Sequence, residues 1–124
     1  MTIREAITKL DALVYNTYSD TEKREWLSNV DANIKRTVID THEGADTVAF
    51  EGYTDQTPDT TELLAPAPYD AMYLRWIESQ IHYHNGENAS YNASIILFNA
   101  EFNNFAQWYT RNHKPLSKGN RFIF

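Results

Sequence analysis

Large side chains fall at Tyr91, Ile95, Phe98, Phe102, Phe105 and Tyr109, in alternating steps of four and three. That spacing predicts a helix over Glu87–Asn112 with one continuous apolar seam. Between Glu87 and Arg111 the only charged residue is Glu101, and the other face is built from Asn88, Asn92, Asn99, Asn103, Asn104, Ser, Ala and Gln. Asparagine is a poor helix former, and five of them cost roughly 3 kcal/mol relative to alanine, so tertiary packing has to hold this segment. Amides are desolvated at lower cost than charges. The helix therefore reads as part core and part subunit contact, with Asn92, Asn99, Asn103, Phe102 and Trp108 as the candidate interface residues.

The same periodicity places the remaining elements. Thr2 and Glu5 make a capping box ahead of Ile3, Ala6, Ile7, Leu10, Leu13 and Val14, which predicts a first helix over residues 3–16. Ser19 and Glu22 repeat the signature ahead of Trp26, Leu27, Val30, Ile34 and Val38, with Lys23, Arg24, Asp31 and Lys35 on the other side. This second helix is expected to stop near Thr41, before Gly44. From Ala45 to Thr61 the helical period is lost. Val48–Tyr53 reads there as a short strand or extended arm, followed by a polar loop. Pro66 and Pro68 set an extended lead-in to a third helix, with Pro68 in its first turn and Tyr69, Met72, Tyr73, Trp76, Ile77, Gln80, Ile81 and His84 as its inner stripe. Asn85-Gly86 is a stop signal, and so short a connection makes the third and fourth helices an antiparallel hairpin. The fold class is thus mainly α: one domain over residues 1–115, a bundle of about four helices with an arm at 45–61, and an extended tail at 116–124.

At 124 residues such a chain can bury roughly two-thirds of its unfolded surface without staples. It has no cysteine, which excludes disulfides and thiolate chemistry. No apolar run approaches a membrane span, so no membrane partner is expected. The net charge of -6 argues against binding nucleic acid by phosphate neutralisation. That charge is unevenly placed. Residues 37–74 contain no Lys or Arg but eight acids, whereas after Glu101 there is no acid and the tail carries Arg111, Lys114, Lys118 and Arg121. The two regions attract each other, within one molecule or between neighbours.

Candidate chemistry is sparse. His82 and His84 lie two apart and would point away from each other on a helix, while Glu78–His82 and Gln80–His84 share faces without forming a His-Glu-x-x-His array. His42 and His113 fall at predicted helix ends, where imidazole meets free carbonyls. No nucleophile elbow, phosphate loop or calcium-loop ladder is present. No catalytic, cofactor-binding or metal-binding residue is assigned, and no enzyme activity is expected.

Several strings then read together: Trp26-Leu27-x-x-x-Asp31, Thr41-His42-Glu43-Gly44, Thr61-Glu62-Leu63-Leu64-x-Pro66-Ala67-Pro68-Tyr69-Asp70, Tyr91-Asn92, Phe98-Asn99 and Trp108-Tyr109-x-Arg111-x-His113. From about Leu10 to Pro115 the chain resembles the head-tail connector, or adaptor, proteins of tailed bacteriophages and prophages. The resemblance implies a helical subunit of a homo-oligomeric ring in the virion neck, assembled in the bacterial cytoplasm. Its partners would be further copies of itself, the portal protein, and a stopper or tail-side protein, with DNA passing through without sequence-specific binding. The charge pattern fits that role: Glu51, Asp55 and Asp59 facing the DNA channel would repel phosphates, and the basic, apolar tail at Lys118, Arg121, Phe122, Ile123 and Phe124 would grip the portal. Two other classes fit the same residues: a stopper or tail-completion protein, and a monomeric helical binding module.

Overall fold

The computed structural model of the protein describes residues 1–116 and is mainly helical, as the periodicity predicts. Four α-helices carry it: α1 (Ile3–Leu13), α2 (Asp20–Ile34), α3 (Ala71–His84) and α4 (Asn88–Asn112). Both capping boxes form. The Thr2 hydroxyl accepts from the Glu5 amide at 3.1 Å while the Glu5 carboxylate accepts from the Thr2 amide at 2.8 Å, and Ser19 and Glu22 do the same for α2. The final turn of α2 widens into a π-helical turn, Lys35–Ile39, closed by the Asp40 amide on the Lys35 carbonyl at 2.8 Å. Gly44, at φ 88°, then takes the left-handed conformation that ends it.

Helix α3 is the shared neighbour of the other three, with α1 and α2 packed against it and α4 folded back along it as the antiparallel hairpin. The core is Ile3, Ile7 and Leu10 from α1, Leu27, Val30 and Ile34 from α2, and Met72, Tyr73, Ile77 and Ile81 from α3. Phe98, Phe105 and Tyr109 of the α4 seam close it, while Tyr91, Ile95 and Phe102 of the same seam are only half-buried.

Three expectations are corrected, and of the two alternatives for Val48–Tyr53 the extended arm is the one that forms. Helix α1 ends at Leu13 instead of Asn16, leaving Leu13 72% exposed, because Val14 is already extended. Helix α3 begins at Ala71, after a tight turn through the cis Ala67–Pro68 bond, so Pro68 lies outside its first turn. The Val48–Tyr53 arm pairs with no strand. It follows a 3-10 turn, Ala45–Thr47, and runs extended over the α2 surface, where the Ser28 hydroxyl accepts from the Tyr53 amide at 3.1 Å. The only bridges among the described residues are the isolated pairs Thr2–Glu62 and His42–Pro115.

The third correction is the largest. Lys23, Arg24 and Asp31 do not form a solvated face of α2 but are 3%, 7% and 0% exposed. The irregular segment wraps that side of the helix, and each charge meets a partner there or on α1. The Lys23 ammonium meets Asp11 at 2.7 Å, and the Arg24 guanidinium donates to the Thr54 and Thr57 carbonyls at 2.6 and 2.7 Å and to Asp59. Asp31 accepts from both tyrosine hydroxyls that reach it, Tyr53 and Tyr73, and from the Leu64 amide. Buried charge survives only when partnered in this way.

Candidate functional site

Helix α4 is 25 residues long, about 37 Å, and only one long face of it is covered. Opposite the seam, a second series repeats the same steps of four and three: Ala89, Ala93, Ile96, Ala100, Asn103 and Gln107, all exposed. Ile96 is 68% exposed and the adjacent Leu97 45%. From Asn88 to Thr110 no exposed residue of α4 is charged, on a protein whose other surfaces are dense in acids and bases. A helix face without charge is cheap to desolvate, and its alanines let another backbone come close.

The five candidate contact residues divide. Asn92, Asn99 and Asn103 lie on this outer face, and none of their amides hydrogen-bonds to a described residue. Phe102 and Trp108 are half-buried at its flanks. Phe102 packs on Phe98 with ring centroids 5.8 Å apart, and Trp108 on Tyr69 at 5.1 Å, so both serve the hairpin first. Ile96, Leu97 and the alanine series are the part that reading the sequence missed. The signal was present as a second heptad register beneath the more conspicuous aromatic one.

One flank of α4 holds an unsatisfied group. Glu101, the only acid of the helix, has its Oε2 shielded from solvent without a hydrogen-bond partner among the described residues. Beside it is a recess of about 230 Å³ lined by Pro68, Tyr69, Glu101 and Asn104.

The candidate channel residues also divide. Glu51 and Asp55 are exposed, with Asp55 accepting only from the Thr21 hydroxyl at 2.9 Å. Asp59 is engaged by Arg4 at 3.1 Å and by buried Arg24, and the hydrogen bond from Arg4 holds its carboxyl below the usual range. Its charge is spent inside the fold. Lys118, Arg121, Phe122, Ile123 and Phe124 lie outside the described residues. The chain approaches them by pairing Lys114–Leu116 antiparallel with Thr41–Glu43, through Glu43 N–Lys114 O at 2.8 Å and Leu116 N–Thr41 O at 3.0 Å.

The histidines serve the scaffold. His42 is buried between the Val38 carbonyl and the Thr110 hydroxyl, tying the end of α2 to the end of α4. His113 stacks on Tyr109 with ring centroids 3.8 Å apart, His84 stacks on Trp26 at 5.5 Å, and His82 pairs with Glu87 at 2.7 Å. Among the described residues no three His, Cys, Asp or Glu converge on a metal position, and no helix is long and apolar enough to cross a membrane. Two surface cavities of about 460 and 330 Å³ lie along the arm, and no histidine lines either. No family model, curated protein or solved structure matches the chain.

Proposed function

We propose that this chain is a structural subunit of a phage or prophage head-tail connector, which assembles as a ring under the portal and extends the DNA channel. The observation that carries the self-assembly half of the reading is the uncharged outer face of α4, with Ile96 and Leu97 in water on an otherwise charged molecule. The virion half rests on the resemblance of the strings around Asp31, Thr41–Gly44, Thr61–Asp70 and Trp108–His113 to that family.

In this reading α4 packs laterally on the next subunit, where a specific contact buries about 800 Å² per partner. Glu51 and Asp55 remain available to repel phosphates from the channel wall, whereas Asp59 serves as a brace for Arg4 and Arg24. The basic, apolar tail is the portal-directed segment, and Lys114–Leu116 launch it from a fixed point on the end of α2.

Co-expression with the portal protein of the same genome, followed by light scattering of the purified complex, tests this. A defined complex with equal numbers of both chains is the expected result, lost when the chain is cut after Leu116. Failure to form a complex at any salt concentration would return the protein to the stopper or free binding-module class.

A further inference from the structure

We infer that the groove between the Val48–Tyr53 arm and residues 61–64 is a strand-binding site for residues 117–124 of the same chain, which lie outside the described residues. The inference concerns the subunit before assembly and stands without the connector reading. In that reading, the groove holds the tail until the portal takes it.

The arm offers an open backbone edge. Val48 is extended, at φ -111° and ψ 107°, and the amides of Ala49, Phe50, Glu51 and Gly52 donate to no described residue. The carbonyls of residues 48–53 accept from none. Successive residues of an extended chain turn these groups to opposite edges, so a strand laid on either side meets donors and acceptors at every second position. On the facing wall, the Ile3 amide bonds the Thr61 carbonyl at 3.1 Å and the Leu63 amide bonds the Met1 carbonyl at 3.0 Å. That pairing turns the N–H and C=O of Glu62 away from residues 1–3, again without a described partner. Both segments line a cavity of about 330 Å³, where Phe50, Tyr53 and Leu64 are apolar and Glu51 and Glu62 acidic. A cavity of about 150 Å³ takes up benzene, so this one has room for an aromatic side chain and a neighbour.

The chemistry of the groove matches one segment of the chain. No Lys or Arg lines it or the adjoining cavity of about 460 Å³, which shares Tyr53 and Thr54 with it and adds Glu22, Glu25 and Asp55. Of these five acids only Glu62 has a charged partner among the described residues, the Met1 amino group at 3.2 Å. Residues 117–124 carry Lys118 and Arg121 and then Phe122-Ile123-Phe124, whose side chains favour extended backbone. Cations followed by an apolar run complement an acidic groove with apolar walls, and main-chain pairing supplies the rest. Leu116 is fixed to Thr41 at 3.0 Å, and the arm starts seven residues beyond Thr41, at most about 25 Å away and nearer because of the turns at Gly44–Val48. Eight extended residues span about 26 Å, so the tail reaches its own groove. Such a tether gives an effective concentration of the order of millimolar, which favours the chain's own tail over that of a second copy.

Amide exchange of the full chain at low concentration reads the groove. Amides at alternate positions of residues 49–52 and that of Glu62 should exchange at least about tenfold more slowly in the wild type than in Phe122→Asp/Phe124→Asp, with α1–α3 unchanged between the two. Arg121→Glu should give part of that loss, and added salt should reproduce that part in the wild type. Equal exchange in the wild type and the double variant would overturn the inference.

A second measurement leaves the apolar residues of the tail in place. The chain has no cysteine, so Asn120→Cys carries a single spin label. Apart from Thr41–Glu43, where the tail departs, the label should broaden the resonances of residues 49–54 and 61–64 more than those of any other described segment. Broadening centred elsewhere overturns the inference. So does broadening of an isotope-enriched chain mixed with an unenriched, spin-labelled one, which would put the tail on a second copy. Portal binding is read separately, by light scattering, so failure of the connector reading leaves this result as it stands.

Discussion

Asp31 on α2 and Tyr73 on α3 share a 2.6 Å hydrogen bond in the middle of the core, and the irregular half of the chain is hung from that pair. The Tyr73 hydroxyl accepts from the Ala65 amide at 2.7 Å, and the other Asp31 oxygen accepts from the Leu64 amide at 3.1 Å and from Tyr53 at the end of the arm. Four donors are satisfied by one carboxylate and one phenol. The thirty residues from Thr41 to Asp70, whose only regular element is the short turn Ala45–Thr47, are thereby seated, together with the burial of Tyr53, Leu63 and Ala65.

Burial pushes the Asp31 carboxyl above its usual value, against the opposing pull of the Tyr53, Tyr73 and Leu64 hydrogen bonds. An acid whose folded pKa is raised binds a proton more tightly in the native state. Its contribution to stability is therefore full below the unfolded value of 3.8 and declines as pH rises through the folded one. Asp31→Asn does not titrate. It should cost about 1–3 kcal/mol at low pH, because an amide cannot accept all three hydrogen bonds. That cost should shrink as pH rises, by at most about 1.4 kcal/mol per unit. Denaturant melts of both proteins from pH 3 to 7 check this, and a cost that grows with pH would show the carboxylate to be favoured by its site.

Tyr53→Phe removes one hydroxyl and keeps the ring that packs against Phe50 at 5.2 Å. The global loss should be small, about 1–1.5 kcal/mol. The local effect should be larger, because Tyr53 is the only buried side chain of the arm. Amide exchange at residues 48–57 should accelerate well ahead of exchange in α1–α3, and uniform acceleration would mean that the arm unfolds only with the core.

On α4 the two registers predict opposite responses. Phe105 is 1% exposed, so Phe105→Ala should cost about 3–5 kcal/mol. Phe102 is half-buried, and Phe102→Ala should cost about 2 kcal/mol, less than its place in the seam implies. Ile96→Asp should leave the isolated subunit within about 0.5 kcal/mol of wild type. Thermal melts of the three variants at low concentration test the division of the helix into a covered and an open face.

The helices were legible because each carries its own periodic signal: two capping boxes, a stop at Asn85-Gly86 and an aromatic seam. What stayed hidden depends on partners distant in sequence. Lys23 and Asp31 stand at helical spacing from Leu27, on its side of α2, but their charge argued for solvent, and the partners that let them and Arg24 be interior are Asp11 of α1 and residues 53–73. Val48–Tyr53 has the composition of a strand but no strand beside it, so its extended backbone never becomes a ladder. In the candidate site, the exposed Asn92, Asn99 and Asn103 were readable from the lack of charge, while the orphaned Glu101 oxygen was not, since it depends on where Pro68 and Tyr69 come to rest.

The acidic residues give a final prediction, in which function and stability separate. If the connector reading is right, Glu51→Lys and Asp55→Lys place positive charge on the channel wall, and DNA should leave assembled particles more slowly, most visibly at low ionic strength. Both side chains are exposed and unpaired with any described cation, so the subunit itself should melt as the wild type does. Asp59→Lys behaves differently. It leaves the buried Arg24 guanidinium facing a like charge and releases Arg4, so the subunit should lose stability before any question of DNA arises. The carboxyl of Asp59 is held below its usual range by Arg4, so its pairing is present above the unfolded value of 3.8 and is lost as pH falls through the folded one. The wild type should therefore lose this brace under acid, and Asp59→Asn should melt with a weaker dependence on pH below 4. Slower ejection in Asp55→Lys with an unchanged melt would tie the acidic surface to the channel. Unchanged ejection in both exposed variants would move the DNA path elsewhere on the subunit.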